Sequence, residues 1–161
     1  MHQRGYSLLE MLVVVAVIAI LAGAVVLSAG GAGSDRQIEG EARRLQRVLD
    51  LLCDTAVIEG RYYALGYGAR VYAGYRYDNE GWALIRSSGP LQEHVVPEGM
   101  RLSVPDAEEA LPNGVPEEPQ LLCAPTGDLS AVDLMLTTDA MPQGWRLRLD
   151  RAGALALEPP P

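Results

Sequence analysis

The pattern of hydrophobic and polar positions changes character twice along the chain. No charged side chain occurs from Met11 to Ser34, and Met11–Leu27 is a seventeen-residue apolar run. That length is near the lower end of the ~17–25 residues with which a helix spans a bilayer. Glu10 stands at its head, where a carboxylate beside hydrocarbon is costly and tends to be functional. Gly30-Gly31-Ala32-Gly33-Ser34 follows. Glycine is the poorest ordinary helix former, so a break, kink or flexible hinge is expected there. From Asp35, a capping residue, to Glu59 the apolar positions Ile38, Ala42, Leu45, Leu49, Leu52 and Ala56 recur at spacings of three and four. They predict an amphipathic helix with one apolar stripe. Glu39 and Arg43 form an i,i+4 pair, and Arg47 is within reach of Asp50. Arg43, Arg44 and Arg47 read as a solvated helix face among acidic neighbours. Gly60 suits the C-terminal cap.

Beyond Gly60 the texture becomes β. Tyr62–Tyr67, Arg70–Tyr77 and Trp82–Arg86 read as strands, the last two joined by the turn Asp78-Asn79-Glu80-Gly81. Met100–Val104 is a further short strand. PDAEEALPNGVPEEP, Pro105 to Pro119, holds four prolines and five carboxylates and reads as a mobile loop. It lacks the ordered ligand spacing of a calcium loop. Gln120–Ala124, Val132–Thr138, Trp145–Asp150 and Ala154–Glu158 are strands separated by PTGD, DAMPQG and RAG turns. Arg146 and Arg148 alternate with Leu147 and Leu149, as in a half-buried antiparallel strand.

Composition bears on compartment and chemistry. The apolar run is either a membrane anchor or the core of a cleaved secretory signal ending at Ala22-Gly23-Ala24. Either reading exports the rest of the chain. Roughly 125 residues then remain, enough for one small domain with its own core. The net charge is −8, and all thirteen cations are Arg. Such acidity argues against nucleic acid as a partner, since phosphate neutralisation needs cations. Cys53 and Cys123 are the two cysteines. An exported domain can bridge them, or they can serve as two small buried apolar residues. Catalytic patterns are absent: no nucleophile elbow, no phosphate-cradling glycine loop and no zinc spacing. Without Lys, Schiff-base and P-loop chemistry have no amine. His94 stands before Val95-Val96-Pro97 and reads as a solvated loop histidine. These features point to a structural or interaction protein with no cofactor or metal.

Arg4-Gly5-Tyr6-Ser7-Leu8-Leu9-Glu10 resembles the class III signal of type IV pilins and pseudopilins. Gly5 matches the residue before the cut, Ser7 the hydroxyl position and Glu10 the acid. Tyr6 replaces the usual Phe. The resemblance implies that a prepilin peptidase cleaves between Gly5 and Tyr6 and that the new Tyr6 amine is N-methylated. EARRLQRVLDLLCDTAVIEGR, GYRYDNEGWALI, VPEGMRL and CAPTGDLSAVDLMLTT followed by GWRLRLDRAGALAL resemble the GspH/FimT-type minor pseudopilins. The implied fold is α+β and pilin-like, with a long N-terminal helix on an antiparallel β-rich domain. Its parts would be a leader at 1–5, a transmembrane or filament-core helix at 6–29, a Gly-rich hinge at 30–34 and a periplasmic domain at 35–161. Within that domain the amphipathic helix would run over about 35–59 and the β-rich region over about 61–158.

The implied function is that of a minor subunit of the type II secretion pseudopilus. It would sit in the inner membrane as a single pass, N-terminus cytoplasmic. Prepilin peptidase, the major and other minor pseudopilins and the inner-membrane secretion platform would be its partners. Glu10 of one subunit would pair with the Tyr6 amine of the next inside the filament, since a buried charge is tolerable when paired. Two alternatives share parts of the pattern: a FimT-like minor pilin of a type IV pilus or DNA-uptake system, and an exported soluble binding domain behind an ordinary signal peptide.

Overall fold

A computed structural model describes residues 8–105, 107, 110–131, 133–149 and 154–161, with the side chains of 22–34 and 149 outside the description. The chain divides into two units, Met1–Gln37 and Ile38–Pro161. One long helix, α1 (Leu8–Glu59), supplies the described part of the first unit and opens the second. Its helical assignment includes residues 30–34.

In the second unit the predicted apolar stripe is the buried one. Ile38, Ala42, Leu45, Leu49, Leu52 and Ala56 are all buried, and Val48 joins them. The helix ends as its sequence dictates. Gly60 takes a left-handed φ of 63°; its N–H donates to the Val57 carbonyl at 3.3 Å, and Arg61 N–H donates to Ala56 at 3.1 Å. This paired closure satisfies two of the helix's last carbonyls.

Nine strands follow among the described residues: β1 (Tyr63–Tyr67), β2 (Val71–Asp78), β3 (Gly81–Leu84), β4 (His94–Val95), β5 (Met100–Ser103), β6 (Leu121–Cys123), β7 (Asp133–Thr138), β8 (Trp145–Leu149) and β9 (Leu155–Glu158). They form two antiparallel sheets. The first has the order β3-β2-β1-β6, with β4 also pairing on β2. The second runs β5-β7-β8-β9. Strand β4 lies outside the predicted set: two residues are too few to carry a periodic signal.

The sheets are buried differently, and their sequences follow suit. In the first, Tyr63, Leu65, Tyr67, Tyr72, Leu121 and Cys123 belong to the main core with the helix stripe. The opposite face carries Ala64, Ala73 and Tyr75, packed by Trp82, Leu84, Val115 and Leu122. β1 is therefore buried at every position, so it reads as a continuous apolar run rather than an alternating one. The second sheet keeps one wet face. Leu134, Leu136 and Leu147 enter the core, while Arg146 grips Asp133 with two bonds of 2.7 and 2.6 Å and Arg148 donates to Glu158 at 2.8 Å.

The segment Pro105 to Pro119 contains no regular element among its described residues. Its second half is fastened rather than mobile as the sequence suggests. Ala69 N–H donates to the Pro112 carbonyl at 2.7 Å, and the Tyr75 hydroxyl donates to the Pro116 carbonyl. Gly68 makes this approach possible: a Cβ there would lie 2.4 Å from the Gly114 oxygen and 2.5 Å from the Pro112 oxygen. Composition alone hides such docking, because the proline-rich loop contributes backbone carbonyls and two apolar side chains, not a periodic pattern.

Candidate functional site

The predicted assembly signal lies at the start of the chain. Gly5 and Tyr6, the expected cleavage site, lie outside the described residues. Glu10 lies in the first turn of α1 as described. Around it, apolar side chains face outward on every side of the helix: Leu8, Leu12 and Ile20 are 86%, 67% and 71% exposed, and Leu9, Met11 and Val13 are exposed as well. A helix apolar all round is one that other helices or lipid must cover. Among the residues whose side chains are described, no helix is long and apolar enough to cross a membrane. The apolar run itself continues past them to Leu27.

Cys53 on α1 and Cys123 on β6 are joined as a disulfide, with Cα atoms 5.1 Å apart across a sequence separation of 70. The bond ties the end of the helix to the edge of the first sheet. Both cysteines also belong to the core or pack against it.

The second unit also holds a buried polar cluster that sequence patterning does not reveal. Glu41 is only 8% exposed and is the one buried charged residue among the described residues. Its Oε1 accepts from the Tyr72 hydroxyl at 3.0 Å and lies 2.8 Å from His94 Nε2. The Tyr72 and His94 rings are tilted together, centroids 5.0 Å apart. The expected solvated histidine is thus largely buried, because β4 pairs with β2 and sets His94 opposite Tyr72. A carboxylate taken out of water needs such partners. Burial, reinforced by the Glu41 carboxylate, pushes the Tyr72 phenol well above its ordinary value, and Arg44 opposes the shift. The available signal was Glu41 itself, seated between Ile38 and Leu45 on the apolar stripe.

The basic cluster also differs from expectation. Arg43 does bond Glu39. Arg44 is only partly exposed, and its Nε is buried. Arg47 makes no pair with Asp50, whose carboxyl is instead pushed up by burial and by Asp54. An i,i+3 pair on a wet helix gains only ~0.2–0.5 kcal/mol, too little to hold a flexible guanidinium.

An outward-facing apolar helix, continued by an amphipathic one under antiparallel sheets, defines a class: the pilin-like fold. The prokaryotic N-terminal methylation motif matches residues 1–26. Solved structures agree on the fold. The minor pseudopilin EpsH of the Vibrio cholerae type II secretion system matches with a TM-score of 0.66 at 19% identity, over 80% of this chain and 97% of that one. GspH of E. coli gives 0.63 at 11% identity, over 79% and 91%. By sequence the chain is 33% identical to type II secretion system protein H of Pseudomonas aeruginosa, over 93% of this chain and 91% of the relative. It is 28% identical to the Aeromonas hydrophila protein of that name, over 84% and 81%. The chain therefore belongs to the type II secretion system protein H family, the minor pseudopilins.

Proposed function

We propose that this minor pseudopilin enters the periplasmic pseudopilus through its N-terminal helix, once a prepilin peptidase has cut between Gly5 and Tyr6 and the Tyr6 amine has been methylated. The observation that carries the reading is the methylation motif over residues 1–26 coinciding with the start of a helix whose apolar side chains from Leu8 to Leu21 are exposed. Before assembly the lipid bilayer covers that surface, with the N-terminus cytoplasmic and the β domain periplasmic. In the filament, neighbouring pseudopilin helices cover it instead. Glu10 then meets the Tyr6 amine of an adjacent subunit, so the pair fixes axial register as well as adding attraction. Residues 30–34 act as a joint that lets one end settle in the helical bundle while the other presents the β domain. The work is structural: the subunit helps the pseudopilus move folded proteins across the outer membrane.

The deciding experiment is mass spectrometry of the mature N-terminus. The expected product begins at methylated Tyr6; a chain beginning at Val25 would show an ordinary signal peptide and overturn the reading. Glu10→Val tests the register pair. Reduced incorporation into the pseudopilus is expected, and full incorporation with normal secretion would remove Glu10 from the mechanism.

A further inference from the structure

A cavity of about 520 Å³ opens beside α1 in the second unit, lined by Arg44, Arg47, Val48, Leu51, Gly89 and Pro90. Its two cations are differently placed. Arg44 is half-buried and faces the Tyr72 hydroxyl, yet its buried Nε has no hydrogen-bond partner among the described residues. Arg47 stands exposed and, among the described residues, makes neither hydrogen bond nor ion pair. Between them run Val48, which is buried, and Leu51, which is 38% exposed. Two guanidiniums one turn apart thus border an aliphatic wall closed by Pro90. In a chain of net charge −8, this is a local positive site with an apolar floor.

We infer that this cavity receives a carboxylate side chain flanked by aliphatic residues on a neighbouring pseudopilin. The inference rests on the pseudopilus reading and adds to it a contact made by the β-domain end of the helix. Charge complementarity selects the occupant. A guanidinium fork matches a carboxylate with two parallel bonds, which an ammonium cannot do. The aliphatic wall adds apolar burial that a bare anion would leave unused. The volume suits one or two side chains, not a folded domain. Arg44, half-buried beside Tyr72, presets the site, while Arg47 closes on the occupant.

The test uses the full processed chain, co-expressed with the other pseudopilins of its secretion system and purified in mild detergent. Arg47→Glu is compared with Arg47→Lys and with the unchanged chain. Because Arg47 is exposed and unpaired among the described residues, the variants keep the wild-type circular dichroism and melting temperature. The expected result is that Arg47→Glu loses bound pseudopilin by on the order of tenfold, as for one lost charge-assisted contact. Arg47→Lys should fall between, and high salt should weaken the unchanged complex toward the Arg47→Glu level. Equal retention by Arg47→Glu overturns the inference while leaving the pseudopilus reading intact. If the unchanged chain retains no pseudopilin at all, the pseudopilus reading itself fails. A variant that keeps its pseudopilin partner but loses co-purifying anionic lipid, or loses self-association, assigns the cavity to those occupants and likewise overturns the inference.

Discussion

Replacing Tyr72 by Phe removes one hydroxyl and keeps the ring that packs against His94. Tyr72 is 1% exposed, so no water replaces the lost donor. Among the described residues the hydroxyl gives Glu41 one of its two side-chain hydrogen bonds, at 3.0 Å, His94 giving the other at 2.8 Å. A hydrogen bond to a charged group contributes ~1.5–3 kcal/mol, so Tyr72→Phe should cost about 2 kcal/mol. Glu41→Leu strips the acceptor from both Tyr72 and His94. It also relieves the desolvated carboxylate, an offset that often cancels much of the loss. Its expected cost is therefore ~2–4 kcal/mol, below the sum of two broken charged bonds. The double variant carries the distinctive outcome. Once the hydroxyl is gone, Glu41→Leu leaves one buried donor fewer unsatisfied, so the pair should couple by ~1.5 kcal/mol. Urea unfolding of the full chain in detergent, followed by tryptophan fluorescence and near-ultraviolet circular dichroism, measures all three variants against the unchanged protein. Costs that add to within ~0.5 kcal/mol would refute the shared network, since that is the behaviour of independent sites.

Three further outcomes follow from the same structure. Cys53→Ala with Cys123→Ala opens a loop of sequence separation 70, for which the chain-entropy treatment gives a loss of about 4 kcal/mol; thermal melts should show the double variant matching the reduced wild type, and an unchanged melt would contradict a structural disulfide. Gly68→Ala drives a Cβ against the Gly114 and Pro112 carbonyls and should cost ~1–3 kcal/mol, with faster proteolytic cutting within residues 105–119 as the direct readout. Arg146 holds the Asp133 carboxyl below its ordinary value, so this pair's contribution is complete above the range where the unfolded Asp titrates and is lost as pH falls through the lower folded value. Both side chains are about two-fifths exposed, which limits the effect to at most ~1 kcal/mol, and Arg146→Met should flatten that acid limb in stability measured against pH.

What the sequence makes legible here is what one short segment decides by itself. The stripe from Ile38 to Ala56 needs only helical periodicity, and it is buried as that periodicity requires. Gly60 closes the helix because glycine alone takes a left-handed φ cheaply, and the β hairpin turn at Asp78–Gly81 is written in its own four residues. Eight of the nine described strands, all but β4, fall within or beside predicted runs, since each carries its own aromatic or aliphatic signal, and β3 is shorter than its predicted span. The Glu41 cluster is different in kind. Its contacts span sequence separations of 31 and 53 residues, and no local pattern connects Glu41 with His94. His94 looks solvated in sequence because its flanks are polar and proline-rich, yet a two-residue strand suffices to place it under the helix. The same reasoning explains Arg44 and Arg47, which are equivalent as members of a basic run. Only folding separates them, when Tyr72 arrives from β2 to face Arg44 and none of the described residues arrives to pair with Arg47. A helix face that reads as uniformly solvated thus becomes one half-buried guanidinium beside Tyr72 and one exposed guanidinium without a partner among the described residues, and that asymmetry is what gives the surface a contact to make.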